Sequence, residues 1–468
     1  MRRYLLLPFL CLTYLCITSC VKTRWALRLP AIFSDHAVLQ QNSEVKVWGW
    51  APRTRPLKIY CSWNPTDTVS VMPEKDFRWT ASIKTPEASN TPCTITFISG
   101  KQKITISDIL IGEVWLCSGQ SNMEYSFNWD PVDDDVLAQL ANNEIRFFQV
   151  PGTYNQFPQA NCDGKWEICT PETLKGMSIV GAYLGKRIHE ATQSPVGLIA
   201  SYWGGSCVQT WTPKEVFDAS EDLKQAAENI TPSSWAPVTP SVLYNGMIHP
   251  IVPYRIAGTI WYQGESNHEQ PQDYGKLFMS LIKGWREAFD NDFPFYFVQI
   301  APWNGYGEIN AAILREQQES ALSLPKTGRI GTGDLVDDIT DIHPKMKREV
   351  GNRLADLVLK EQYGINDLQP YHPRFSSFTV KRDKVTVSVA SIAKLVCKDQ
   401  EVANFQIAGE DKAFYPARAV LEKNGSITLT SEQVKHPVAV RYCFTNDAMP
   451  DLFDVNGLPL LPFRTDEW

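Results

Sequence analysis

Two patterns of apolar and polar residues divide the chain into a middle part and two flanks. In the middle part, residues 108–365, short apolar runs alternate with stretches whose apolar residues recur at helical spacing. Within 274–289, for example, Leu277, Leu281 and Trp285 lie four positions apart and share one helix face. The apolar runs have the continuous character of strands that are buried on both faces. The alternation therefore predicts an α/β domain built on a doubly wound parallel sheet.

The flanks lack a helical period and favour β-structure. In residues 21–107, segments such as 45–50 and 94–98 alternate between apolar and polar positions, with Pro, Asn, Asp and Gly between them. This spacing predicts an antiparallel β-sandwich. Residues 366–468 repeat the pattern and predict a second β-rich domain.

The first 20 residues have the pattern of a targeting segment. Arg2 and Arg3 precede a short apolar stretch, and the segment 17–20 ends in Cys20. This arrangement is typical of a secretory signal. The sequence Ile-Thr-Ser-Cys at its end also resembles a bacterial lipobox, in which the cysteine is acylated. We therefore expect export to the periplasm or cell surface with a lipid anchor on Cys20, and a plain secreted form is the alternative.

Composition and charge narrow the function classes. The chain has 43% hydrophobic and 21% charged residues, as is usual for a soluble globular protein. A net charge of −7 argues against nucleic acid as a partner, because nucleic-acid binding needs a basic face. The cysteines are irregularly spaced without a CxxC pair, so we expect no zinc site and no cofactor. Cys162 and Cys169 are the closest pair of the mature chain, but their spacing does not establish a disulfide.

Ser121 is the candidate nucleophile. The apolar run that begins at Ile109 ends at Ser118 and Gly119, and Ser121 follows at once. Small residues after a buried strand allow a tight turn that holds a hydroxyl at the carboxyl edge of the sheet, where open α/β folds place their chemistry. An ordinary strand-to-loop junction is the alternative, and it would be preferred if no base could be found.

His343 is the candidate base. It follows an Asp-rich loop, residues 337–342, and precedes Pro344, after which apolar residues recur at helical spacing. We therefore expect His343 in the first turn of a helix, where the helix dipole favours neutral imidazole, the form that accepts a proton from serine. Without the histidine, such a loop would be interpreted as a solvated turn.

Two further turns could stabilise an oxyanion. The segment 203–206 contains Gly204 and Gly205 after a strand, and the segment 261–267 places Gln263 after another. Backbone N–H groups beside glycine and a side-chain amide are suitable donors, although both segments could be only tight turns.

Four segments then resemble one family. In order they are 119–123 (Gly-Gln-Ser-Asn-Met), 203–205 (Trp-Gly-Gly), 261–266 (Trp-Tyr-Gln-Gly-Glu-Ser) and 341–344 (Asp-Ile-His-Pro). Together they are similar to the motif blocks of the SGNH-type hydrolases, specifically the sialate O-acetylesterase family and its acetylxylan-esterase relatives. The resemblance extends over nearly the whole mature chain and implies an SGNH, flavodoxin-like fold.

The resemblance also implies roles. Ser121 would be the nucleophile and would contribute its own N–H to the oxyanion hole. His343 would be the general base and then the general acid. Gly205, or its neighbour Gly204, would add a backbone donor, and Gln263 would add a side-chain donor.

The acid and the substrate contacts are less defined. The family usually has Asp three residues before His, but Thr340 stands there, so Asp341 is the expected acid. Asp338 and a Ser–His dyad without an acid are the alternatives. Glu265 and Arg315 are expected to bind substrate; Arg315 would pair with a sialate carboxylate, or else would form a structural ion pair.

Three hypotheses follow. The first is an exported carbohydrate esterase that removes O-acetyl groups from sugars, with sialic acids expected before acetylated xylan or another plant glycan. The second is a surface lipoprotein that binds glycans without catalysis, and it predicts that Ser121 and His343 lie apart. A serine peptidase ranks last because no peptide-binding pattern is present.

Overall fold

The computed structural model describes residues 26–307, 309–397 and 401–468. The predicted signal segment and Cys20 lie outside these ranges. Within them, no helix combines the length and the apolar character needed to cross a membrane. Cys162 and Cys169, the pair considered for a disulfide, are both free buried thiols.

The N-terminal part forms short strands that pair mostly antiparallel. Its described strands are β1 Val38–Gln40, β2 Glu44–Trp50, β3 Leu57–Cys61, β4 Asn64–Val71, β5 Arg78–Lys84 and β6 Ser89–Ser99. Strand β2 pairs with β5, and β3 pairs with both β4 and β6, all antiparallel. The observed alternation of buried and exposed residues in β2 and β3 matches the pattern in the sequence.

The middle part contains a large, mostly parallel sheet. Its strands are β7 Gln102–Gly119, β8 Asn142–Gln149, β9 Trp166–Cys169, β10 Val196–Tyr202, β11 Gly258–Tyr262, β12 Phe295–Val298 and β13 Thr327–Ile330. They are ordered β13-β12-β11-β7-β10-β8-β9, and each neighbouring pair is parallel except β8 with β9. The chain is therefore a mixed α/β protein, as the alternation of strand and helix patterns predicts.

Helices cover both faces of this sheet. They are α1 Ser121–Glu124, α2 Asp134–Leu140, α3 Pro171–Leu174, α4 Ile179–Thr192, α5 Lys214–Asp218, α6 Glu221–Glu228, α7 Tyr274–Phe289, α8 Asn310–Glu319 and α9 Lys347–Tyr363. Successive side chains of β7 enter different cores: Val114 and Leu116 pack with α7 and α8, whereas Trp115 and Cys117 pack with α4 and α9. This period of two is the geometry of a strand buried on both faces.

Strand β7 joins the N-terminal part to the central sheet. Its first half pairs antiparallel with β6, and its second half pairs in parallel with β10 and β11. The expected domain boundary between residues 107 and 108 falls inside this single strand. The strand ends at Gly119, two residues before Ser121.

The C-terminal part is β-rich and has its own apolar core. Its described strands are β14 Arg374–Lys381, β15 Lys384–Ala390, β16 Leu395–Cys397, β17 Glu401–Val402, β18 Phe405–Ala408, β19 Phe414–Pro416, β20 Arg418–Leu421, β21 Ile427–Thr430, β22 Ala439–Tyr442, β23 Leu452–Asp454 and β24 Phe463–Arg464. A bidentate ion pair between Arg464 and Glu316, with distances of 2.9 and 2.8 Å, ties it to helix α8.

Candidate active site

A sharp turn after β7 places Ser121 at the carboxyl edge of the sheet. Gly119 has a φ of 139°, and a β-carbon there would lie 2.1 Å from the carbonyl oxygen of Tyr262. Only glycine can therefore bring this backbone against β11. The N–H of Gln120 donates to the same carbonyl at 3.0 Å, and the short helix α1 starts with Ser121.

The structure brings Ser121 and His343 together across 222 positions of sequence. The Nε2 atom of His343 lies 2.9 Å from the Oγ atom of Ser121, which is hydrogen-bonding distance. The helix that follows begins at Lys347, with Met346 as its N-cap. The expectation that His343 lies in the first helical turn is therefore wrong, and the helix dipole is not what tunes it.

Burial and a nearby cation lower the pKa of His343. Partial burial of the imidazole is the largest cause, the charge of Lys347 adds to it, and Asp341 acts in the opposite direction. Each of the first two disfavours imidazolium, so the neutral form persists into mildly acidic solution. Neutral imidazole can accept the proton of a serine hydroxyl.

Asp341 contacts His343 mainly through the backbone. Its Oδ1 atom accepts a hydrogen bond from the His343 N–H at 2.8 Å but lies 3.6 Å from the Nδ1 atom of the ring. The second distance is too long for a hydrogen bond. Asp338, the alternative acid, instead accepts hydrogen bonds from the N–H and hydroxyl of Thr340. The geometry is that of a Ser–His pair with a nearby carboxylate.

A buried polar network supports the pair from below. Asn122 donates its amide to the Glu265 carboxylate at 2.5 Å and to the Ile342 carbonyl at 3.1 Å, and it accepts from the Lys347 ammonium at 2.8 Å. Burial lowers the pKa of Lys347 to about 8 and raises the pKa of Glu265. The amide thus links the residue after Ser121 to the residue before His343, which fixes the two segments relative to each other.

Two backbone N–H groups beside the cleft are available as oxyanion donors. Among the described residues, the N–H groups of Ser121 and Gly205 have no hydrogen-bond partner, whereas the Gly204 N–H donates to the Glu124 carboxylate at 2.8 Å. Gly205 has a φ of 74°, a conformation that glycine adopts readily. Of the two glycines considered, Gly205 is therefore the one available as a donor.

Gln263 is not available as the side-chain donor. It is fully buried, and its amide donates to the Ser206 carbonyl and to Asn267 at 3.1 and 2.9 Å, while its oxygen accepts from the Tyr274 hydroxyl. Both amide hydrogens are thus donated to buried acceptors, so the expectation that Gln263 donates to an oxyanion is wrong. Gln120 instead lines the cleft, with its side-chain oxygen accepting from the backbone of the loop after β11.

Ser121 and His343 face a cleft of about 730 Å³. Three tryptophans, Trp129, Trp203 and Trp235, form much of its wall. Such a cleft has the size of a small-molecule site with apolar walls and a few convergent polar groups. The arrangement fits acyl transfer at a sugar-sized ester.

Comparison with known proteins agrees with this chemistry. Residues 111–360, more than half of the chain, match the family model described as carbohydrate esterase, sialic acid-specific acetylesterase. The chain belongs to this family. The human sialate O-acetylesterase is 33% identical over 406 residues, which cover 77% of this chain and 76% of the human protein. The sialate O-acetylesterase of Pongo abelii is 28% identical over 409 residues, with the same coverage of 77% and 76%.

A solved structure extends the similarity to nearly the whole fold. A carbohydrate acetylesterase from Xanthomonas citri superposes with a TM-score of 0.85 at 30% identity, covering 95% of this chain and 100% of the other. Family membership and these relatives together identify the chain as an esterase.

The two substrate contacts expected in this esterase are placed elsewhere. Arg315 is buried, and its guanidinium donates to the backbone carbonyls of residues 300, 301, 445 and 446. It therefore anchors the C-terminal part rather than a substrate carboxylate. Glu265 is also buried, beneath Asn122, and does not line the cleft. Because both side chains are buried, the expectations that Arg315 and Glu265 bind substrate are wrong.

Several residues of the site were not predicted from the sequence. Asn122 and Lys347 form the supporting network, and Glu124 and Trp129 line the cleft. Asn122 and Glu124 lie within three residues of Ser121, so proximity to the nucleophile was a usable signal. Lys347 lies on the buried side of α9, where a lysine is unusual without a specific partner.

Proposed function

We propose that the protein removes O-acetyl groups from carbohydrates through an acetyl-Ser121 intermediate. The observation that carries this proposal is the 2.9 Å contact between the Ser121 hydroxyl and His343 at the wall of the tryptophan-lined cleft. The binding-only alternative predicts that these two groups lie apart, and their contact supports catalysis instead. The motif order and the parallel sheet support an SGNH-type fold for the catalytic part.

In the first step, the Ser121 oxygen attacks the acetyl carbonyl while His343 accepts the hydroxyl proton at Nε2. The developing oxyanion accepts hydrogen bonds from the N–H groups of Ser121 and Gly205, and each such donor contributes about 3–4 kcal/mol when well placed. The sugar oxygen then leaves with the proton from His343. In the second step, water gives a proton to the same imidazole and attacks the acetyl carbonyl. The bond between the carbonyl carbon and the Ser121 oxygen then breaks, and this oxygen takes the proton back from His343, so that acetate and free Ser121 are released.

The names of the relatives support two classes of sugar. The mammalian relatives are called sialate O-acetylesterases, and the Xanthomonas relative is called a carbohydrate acetylesterase. Sialic acid esters are therefore one candidate substrate, and esters of neutral glycans such as acetylated xylan are the other. The described lining of the cleft, which contains Glu124 but no lysine or arginine, favours the second class.

Acetate release tests the proposed mechanism. Ser121→Ala and His343→Ala should each reduce hydrolysis of O-acetylated sugars by about 10⁴-fold or more, because each residue carries a proton or the acetyl group. Ser266→Ala, which alters another serine of the cleft wall, is the matched control and should keep its activity within an order of magnitude. Undiminished hydrolysis by Ser121→Ala would rule the mechanism out.

Export with a lipid anchor at Cys20 is proposed separately, on the basic start, the apolar stretch and the lipobox-like end of residues 1–20. Such an anchor would hold the esterase at a membrane surface in the periplasm or on the cell surface, where extracellular glycans are accessible.

A further inference from the structure

A second hollow adjoins the cleft. This neighbouring hollow has a volume of about 320 Å³ and shares Trp203 and Trp235 with the cleft. Tyr154 lines this second hollow but not the cleft. The two cavities thus form one groove, which we call the aromatic groove, with Ser121 in one half and Tyr154 in the other. A single sugar that presents an acetyl group to Ser121 would occupy only the first half.

Aromatic rings are exposed along this groove. The exposed fraction is 81% for Trp235 and 58% for Tyr154, which are high values for such large apolar side chains. The Trp203 ring is held in place, because its Nε1 donates to the Trp235 carbonyl at 3.0 Å and its ring lies 6.2 Å from that of Tyr154. Neighbouring exposed aromatic residues beside a site mark a binding surface, and flat rings suit the apolar faces of sugars.

The described residues that line the cleft offer no cation to a substrate carboxylate. Among the described residues that line it, Glu124 is ionisable and acidic, and no lysine or arginine is present. Burial, followed by the charges of Asp130, Asp341 and Asp337, raises the pKa of Tyr125, whose ring lies 6.3 Å from that of His343. Of these carboxylates, Asp341 also acts on His343, where it opposes the charge of Lys347. A substrate carboxylate in the cleft would therefore meet the Glu124 carboxylate on the wall without a cation to pair with.

Arg315, the cation expected to bind a sialate carboxylate, and Lys347, the buried cation near His343, are both occupied. The Lys347 side chain is 1% exposed, and its ammonium donates to Asn122 and to the Pro344 carbonyl beneath the site. Arg315 donates to backbone carbonyls at the C-terminal part. Neither can reach a ligand in the cleft without breaking buried hydrogen bonds, which is costly.

From these observations we infer that the esterase acts on uncharged O-acetylated oligosaccharides, and that Trp203, Trp235 and Tyr154 bind the sugar units beyond the acetylated one. Glu124 disfavours anionic sugars at the acetylated position. This inference rests on the proposed esterase function and assigns its substrate class.

A panel of esters tests the substrate class on the full chain. The neutral probes are O-acetylated xylotetraose and O-acetylated cellotetraose, each compared with the O-acetylated methyl glycoside of the same sugar. The anionic probe is an O-acetylated sialic acid. Hydrolysis of para-nitrophenyl acetate reports basal esterase activity. For at least one of the two neutral sugars, kcat/KM for the acetylated tetrasaccharide should be about tenfold higher than for the methyl glycoside of the same sugar. It should exceed kcat/KM for the sialic acid ester by the same factor. Added salt should speed hydrolysis of the sialic acid ester relative to the neutral esters, because it screens repulsion.

Three variants test the assigned residues. Trp235→Ala and Tyr154→Ala should lower the ratio of tetrasaccharide to methyl-glycoside kcat/KM by roughly tenfold, because each removes an exposed ring of the aromatic groove. Trp468→Ala, which removes an exposed aromatic residue of the C-terminal part, should leave the ratio unchanged. Glu124→Gln retains an acceptor for the Gly204 N–H and should raise the ratio of sialic acid ester to neutral ester several-fold.

The outcomes separate this inference from the proposed function. If wild type hydrolyses no ester faster than Ser121→Ala, para-nitrophenyl acetate included, the proposed function fails. If para-nitrophenyl acetate is hydrolysed but the sialic acid ester is preferred, or its hydrolysis is slowed by salt, the substrate class is wrong. If neither Trp235→Ala nor Tyr154→Ala changes the ratio of tetrasaccharide to methyl-glycoside kcat/KM, the assignment of the aromatic groove is wrong.

Discussion

The role of Asp341 can be tested by removing its charge without its hydrogen bond. In Asp341→Asn, the side-chain oxygen can still accept from the His343 N–H, so the backbone contact at 2.8 Å is retained. The variant therefore isolates the electrostatic effect across the 3.6 Å between the carboxylate and the imidazole Nδ1.

The expected magnitude follows from that distance. Unit charges at this separation interact by about 1 kcal/mol in bulk water and by about 5 kcal/mol in a partly shielded site. Side-chain exposures of 45% for Asp341 and 31% for His343 favour the lower end. We expect a loss of about 1–2 kcal/mol of transition-state stabilisation, which is roughly 5- to 30-fold in kcat/KM. A buried triad acid that holds the ring directly would instead cost about 10⁴-fold.

A pH–rate profile of acetate release measures both effects. Because Asp341 raises the His343 pKa, its neutralisation should also move the acidic limb of kcat/KM to lower pH. Asp338→Asn is the matched control and should stay within about twofold of wild type, since its carboxylate is bound to Thr340. A loss above about a thousandfold would show that Asp341 holds the ring as a full triad acid. No loss at all would show that its charge does not couple to the ring.

Three other predictions follow from the site and the N-terminal segment. Activity should fall with decreasing pH through a pKa below the usual 6.5 of histidine, and Lys347→Met should raise this pKa because it removes a nearby positive charge. The same variant should lower the free energy of unfolding by about 3–5 kcal/mol, because Glu265 loses its buried cation. Gly205→Ala, at a φ of 74°, should displace an oxyanion donor and reduce kcat by about tenfold or more, measured with an O-acetylated sugar. Cys20→Ala should abolish incorporation of labelled palmitate and release the esterase from membranes.

Each of these has a matched control. Lys345→Met removes an exposed lysine two residues before Lys347 and should change the free energy of unfolding by no more than about 0.5 kcal/mol. Gly364→Ala introduces the same backbone strain at a φ of 66° without a neighbouring site, so kcat should be kept. Cys16→Ala should still be lipidated. The effect of Lys347 on His343 would be contradicted by an unchanged acidic limb in Lys347→Met. The role of Gly205 would be contradicted by full activity in Gly205→Ala, and acylation at Cys20 by labelled palmitate on Cys20→Ala.

Sequence patterns predicted the elements that carry the chemistry. The helix expected over 274–289 is α7 with the same bounds, and the run that ends before Ser121 is the central strand β7. These predictions are confirmed because they depend on local periodicity, which the sequence contains directly. The contact of Ser121 with His343 could be expected only from the order of motifs.

The direction of single side chains could not be predicted in the same way. Gln263 follows a strand at the active edge, yet its amide turns into the core toward Ser206. For Arg315 a signal did exist: Ala311, Leu314 and Gln318 are buried at helical spacing around it, so it lies on the inner face of α8. The Lys347–Asn122 contact joins residues that are 225 positions apart, and no local pattern reports it.

The 18-residue strand β7 limits how this protein can be divided. A shortened version that started at residue 108 would cut this strand in two and remove β6, so that the remaining part of β7 would lose its pairing at Ile109 and Ile111. Apolar side chains of the N-terminal part, such as Ile106, share a core with Val114 near the end of the same strand. The N-terminal part therefore cannot be exchanged between relatives as an independent domain. Chimeras are better joined after α9, where the chain leaves the central sheet.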